Sequence, residues 1–167
     1  MRHYLTMKTG SIPKIDQVYE EFKKYFYNQQ TNNEKELEEL KKYAIYFCAM
    51  ALDKEEDKEL KEAFSDLRDL KVDVSYPLLL DLYNDYKMNI LSKNDFIEII
   101  RLIESYVFRR AVCGISNKSL NKTFASFSKS IKKEKYLESV KAHFNLMTSE
   151  PLSKVQEYSD MNCRNKK

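Results

Sequence analysis

A chain of 167 residues with 43% hydrophobic and 33% charged side chains can build one domain around a core of its own. With only two glycines and three prolines it has no phosphate loop of the GxxxxGKS/T or GxGxxG kind, and long helices joined by short turns are the expected fold. The formal charge of +3 is too mild to imply nucleic acid by itself, but the charge is unevenly distributed. Residues 34–73 carry 13 acids against 8 bases, net −5, whereas residues 108–167 carry 13 bases against 5 acids, net +8.

The twelve tyrosines and nine phenylalanines suit an aromatic core, and the same rings could stack on bases. Cys48, Cys113 and Cys163 are odd in number and far apart, which predicts reduced thiols. The first residues hold no apolar signal core, and no window approaches the roughly 18 apolar residues that span a bilayer. A soluble cytoplasmic protein without membrane contact is expected.

In chain order, residues 1–13 read as a loose lead carrying Gly10 and Pro13. Ile15, Val18, Tyr19, Phe22, Tyr25 and Phe26 recur at helical spacing and predict a first helix over Lys14 to Tyr27. Asn33 followed by Glu36 caps a second helix whose buried side is expected to be Leu37, Leu40, Ala44, Ile45, Phe47, Cys48 and Leu52. The turn DKEEDKE leads to a third helix with Leu60, Ala63, Phe64, Leu67 and Leu70 on one face. Val72 to Tyr76 reads as an extended connector before Pro77, and a fourth helix carries Leu78, Leu79, Leu82, Tyr83 and Tyr86. Ser92 and Asp95 cap the next helix, whose polar stripe is so narrow that it should be the central one, with Tyr106, Val107, Phe108, Ala111, Val112 and Cys113 buried and Gly114 as its stop.

Asn117 to Ile131 shows Leu120, Phe124, Phe127 and Ile131 on one side. As one helix it would put Lys118, Lys122, Lys129 and Lys133 within roughly 60° of one another on the other side. Lys135 to Met147 is a further helix, Ser149 with Pro151 starts a short last one, and the closing residues should be disordered. The expectation is therefore an all-α bundle of about seven or eight helices, stacked hairpins being one arrangement of them. Its parts are a lead at 1–13, a helical domain at 14–148 and a divergent tail at 149–167.

Nucleophilic catalysis near neutral pH would rest on His3 or His143, and neither belongs to a recognisable constellation. Glu55 and Glu59 share a helical face without a convergent partner, and DKEEDKE lacks the glycine and spacing of a calcium loop. No catalytic, metal or cofactor residue is assigned. The candidate site is basic: Arg109 and Arg110 near a helix C-terminus, with Lys118, Lys122, Lys129 and Lys133. Such cations either solvate an ordinary helix, neutralise DNA phosphates, or dock an acidic protein.

The run Tyr106-Val107-Phe108-Arg109-Arg110-Ala111, then Cys113-Gly114 and Ser119-Leu120-Asn121-Lys122 with Phe124-Ala125, resembles a helical region of GmrSD-type restriction proteins, domain of unknown function 262. Tyr4-Leu5-Thr6-Met7-Lys8-Thr9-Gly10 with Ile12-Pro13, Leu70-Lys71-Val72-Asp73, Tyr76-Pro77-Leu78-Leu79 and Tyr136-Leu137-Glu138-Ser139 extend the likeness over Tyr4 to Met147. That family joins a nucleotide-hydrolysing domain with a DGQQR motif to an HNH nuclease domain. This chain carries neither set, so no catalytic residue transfers to it.

The resemblance implies a non-catalytic helical middle region from a DNA restriction and phage-defence system, packed between N-terminal nucleotide-handling and C-terminal HNH nuclease modules, with DNA as a partner of its basic face. Beyond Met147 the sequence departs from the family, as a reading frame cut short by a frameshift would. The alternative is a protein-protein interaction module with no nucleic-acid binding.

Overall fold

The computed structural model describes residues 1–28, 33–115 and 119–147. The described residues form eight α-helices and no strand, so the all-α expectation holds. The helices are α1 (Arg2–Thr9), α2 (Val18–Asn28), α3 (Asn33–Ala51), α4 (Lys58–Asp69), α5 (Tyr76–Lys87), α6 (Lys93–Val112), α7 (Leu120–Phe127) and α8 (Tyr136–Met147). The proposed last helix at Ser149, the tail at 149–167, Cys163 and Lys118 lie outside the described residues.

Local sequence explains most boundaries. The Asp57 carboxylate accepts from the backbone N–H groups of Glu59 and Leu60, both at 3.1 Å, and so caps α4. Ser92 caps α6 by accepting from Asp95 N–H at 3.1 Å, and Gly114 follows the helix end with φ 66. Between these signals Phe96, Ile99, Ile100 and Ile103 are wholly buried, and α6 packs on α4, α5 and α8, which makes it the central helix.

Four expectations are corrected. Residues 1–13 are no loose lead, because α1 packs on α5 with Tyr4, Leu5 and Thr6 buried and ends at Gly10 with φ 73. Val72 to Tyr76 is not extended: Asp73–Ser75 is a 3₁₀ turn in which Ser75 Oγ donates to Val72 O at 2.8 Å, and Pro77 sits in the first turn of α5. Phe108 and Ala111 are exposed on α6, and Val112 and Cys113 only partly covered, because α8 packs against the other side of that helix. The first helix is shorter than its periodicity suggested: Ile15–Gln17 forms a 3₁₀ turn, Ile15 is 80% exposed, and α2 contains no buried residue.

Candidate functional site

The basic residues do not share a helix. α7 ends at Phe127, and separate 3₁₀ turns at Ser128–Ser130 and Lys133–Lys135 carry Lys129 and Lys133 away from the register of Lys122. Serine side chains compete for the backbone here: Ser126 Oγ donates to Lys122 O at 3.0 Å and Ser130 Oγ to Phe127 O at 2.7 Å, which favours ending the helix.

Each cation also has its own surroundings. Lys133 Nζ lies 2.9 Å and 2.8 Å from the two carboxylate oxygens of Asp85, a residue only 1% exposed, and Tyr136 Oη donates to the same carboxylate at 2.7 Å. Lys129 reaches back over the C-terminus of α1, so near that a Cβ placed on Gly10 would stand 2.7 Å from its ammonium. Arg110 covers the Tyr106 ring at 5.6 Å and donates to Ser119 Oγ at 3.3 Å, tying the end of α6 to the start of α7. Arg109 Nε donates to its own helix at Ser105 O, 3.2 Å away. Lys122 stands exposed on α7. Of the neighbouring cations, Lys141 pairs with Glu98 at 2.5 Å.

The two histidines pack against rings. His3 lies against Phe47 and Tyr76, with centroids 5.7 and 5.4 Å away, and burial lowers its pKa below the ordinary value. His143 stacks on Phe127 at 4.1 Å with Nδ1 3.4 Å from Ser130 Oγ, and burial lowers its pKa too. Among the described residues no group of three or more His, Cys, Asp and Glu side chains is placed to hold a metal ion.

The least expected surface lies on α3. Its inner side presents Tyr43, Ala49 and Met50 to the core, with Leu40, Tyr46 and Phe47 packed beside them. Leu37, Ala44, Ile45 and Leu52, expected inside, face outward instead, and Leu37, Ile45 and Leu52 are 58%, 58% and 57% exposed. The physical reason is surplus: from Tyr43 to Leu52 every residue is apolar, and the larger aromatic side chains take the core. The sequence signal was present as too many apolar positions for one stripe, but periodicity alone could not rank the two faces.

Beside this outer face runs an open groove of about 710 Å³ lined by α3, the loop before α4, and α5. Ala44, Ile45 and Cys48 form one wall, and Tyr83 and Tyr86 the other. Glu55 in that loop is buried, accepts from Tyr83 Oη at 2.5 Å and also accepts from the backbone N–H groups of Glu56 and Asp57 at 3.0 and 3.1 Å. Burial together with that carboxylate pushes the Tyr83 hydroxyl well above the usual tyrosine range. The loop therefore holds a fixed shape beside the groove.

These features define an all-α bundle whose described surface combines dispersed cations with an uncovered apolar helix face. In comparison with known proteins the chain matches no family model, and no curated protein or solved structure is significantly similar to it. Among the described residues no helix is long and apolar enough to cross a membrane.

Proposed function

We propose that this chain is a non-catalytic helical module that holds protein surfaces together through the outer face of α3. Its descent from the helical middle of a GmrSD-like restriction and defence protein is part of the same proposal, resting on the sequence resemblance over Tyr4 to Met147. The observation that carries the docking role is the row Leu37, Ile45 and Leu52, three large aliphatic side chains each more than half exposed on a helix whose other side is core.

DNA contact has weaker support. Phosphate neutralisation favours several cations free to converge, whereas Lys133 is held by a buried carboxylate, Arg110 by Tyr106 and Ser119, and Lys129 lies over the end of α1. Two measurements separate the readings. Anisotropy of labelled duplex DNA at low salt should show no saturable binding, and a salt-sensitive isotherm weakened by Lys122→Glu would favour DNA instead. An apolar dye should bind the dilute chain and lose that binding in Ile45→Glu but not in Phe108→Glu. Dye binding unchanged in Ile45→Glu would remove the docking role from α3.

A further inference from the structure

We infer that the protein seated on the outer face of α3 is a second copy of this chain, its α3 antiparallel to the first about a two-fold axis passing between Ala44 and Ile45; this rests on the docking role proposed above. At about 100° per residue, Leu37, Lys41, Ala44, Ile45, Cys48 and Leu52 lie within an arc of about 100°. Leu52 belongs to this row because its N–H still donates to Cys48 O at 3.1 Å, continuing the helical turn past Ala51.

Reversal about that axis maps the row onto itself. Leu37 lies level with Leu52 of the second copy and Lys41 with Cys48, while the two Ile45 side chains meet beside the axis. Large side chains occupy both ends, while Ala44 and Cys48 keep the middle low enough for two helix axes to approach to about 8–10 Å. A two-fold contact needs such self-complementarity, since every residue meets its opposite number twice.

The charges agree with the same orientation. No ion pair among the described residues engages Glu38 or Lys54, which flank the row at opposite ends of α3 and its following turn. Asp53 beside Lys54 is already held by Lys61 and Arg68 at 3.1 and 2.7 Å, so it competes less with an incoming carboxylate for Lys54. Antiparallel pairing brings each Lys54 within about one helical turn of the other copy's Glu38, and it opposes the two helix dipoles head to tail. The parallel alternative would set Glu38 beside Glu38 and Lys54 beside Lys54.

The contact is modest in size. Leu37 to Leu52 spans only about 22 Å of helix, a contact smaller than a standard interface of ~800 Å² per partner, so weak, concentration-dependent association is expected. Sedimentation velocity of the whole chain from about 2 to about 200 μM should pass from monomer to dimer. Ile45→Glu and Ile45→Lys should each stay monomeric, and their equimolar mixture should dimerise again, because the two positions meet beside the axis. Ile45 is exposed, so a retained urea midpoint is expected for both variants.

A wild-type chain that stays monomeric at about 200 μM overturns the second copy as occupant, as does a dimer that persists in Ile45→Glu. In the monomeric case the apolar dye distinguishes what failed. Binding that depends on Ile45 leaves the docking role standing with another partner, and its absence removes both.

Discussion

Asp85 shows how one side chain can fasten distant parts of a chain. It lies in α5, almost fully buried, and its carboxylate takes hydrogen bonds from Lys133 and Tyr136, about fifty positions further on. Asp85→Ala would leave a buried phenol hydroxyl without its acceptor and a lysine without its counterion, a loss of about 2–4 kcal/mol. Tyr136→Phe removes one donor while Lys133 still serves the carboxylate, and should cost about 1 kcal/mol. Urea unfolding of both variants checks the order; equal costs would contradict it. His3 gives a second test. Burial lowers its folded pKa below the ordinary 6.5, so the native state binds its proton less readily than the unfolded chain. Stability from this group is present above about pH 6.5 and is lost as pH falls from there towards the folded pKa. His3→Phe should flatten stability against pH in that window. Neither role was legible in the sequence, since Asp85, like Asp81 in the same LLLDLYNDYK segment, reads as helix surface until Lys133 and Tyr136 fold over it.

Helices were legible where their ends carried chemistry. Ser92, Asp95 and Gly114 bracket α6, and Asp57 starts α4, because capping is a contact between near neighbours. Gly114→Ala should therefore cost about 1 kcal/mol, the penalty of placing a Cβ on a left-handed residue, as nothing lies within 4 Å of the new atom. Gly10→Ala carries the same backbone penalty and in addition pushes the Lys129 ammonium off the end of α1. Its thermal midpoint should fall at least as far as that of Gly114→Ala. What periodicity could not supply was the choice between faces and the break after Phe127. From Tyr43 onward the apolar residues surround α3, so the same residues that predicted a buried side include most of the exposed row. After Phe127 the lysines keep helical spacing on paper, while serine back-bonding and the reach of Lys133 to Asp85 end the helix in space. The basic stripe was an inference from spacing, and spacing holds only while the helix does.

Among the described residues α6 joins two aromatic clusters. In the first, Phe96 touches Phe64, Tyr83 and Tyr86 with centroids 5.8, 5.9 and 5.6 Å away, joining α4, α5 and α6. In the second, Phe144 meets Tyr106 at 5.4 Å and Phe127 at 5.1 Å, joining α6, α7 and α8. The clusters differ in what surrounds them: α3 and α4 close over the first, whereas the second is fastened across the chain by Asp85 and the Lys141–Glu98 pair. Phe96→Ala should thus lower global stability by about 3–5 kcal/mol and accelerate amide exchange throughout α4, α5 and α6 together. Phe144→Ala removes a similar volume but should accelerate exchange mainly in α7 and α8, because those helices can open while the first cluster stays packed. Uniform acceleration across the chain in Phe144→Ala would mean that the bundle unfolds as one unit. The distinction bears on function, because α3 belongs to the first cluster through Tyr46, whose ring stands 4.7 Å from that of Tyr83. An exposed row on that helix is held by the more securely enclosed part of the core, and loosening α7 and α8 should leave Ile45-dependent association unchanged.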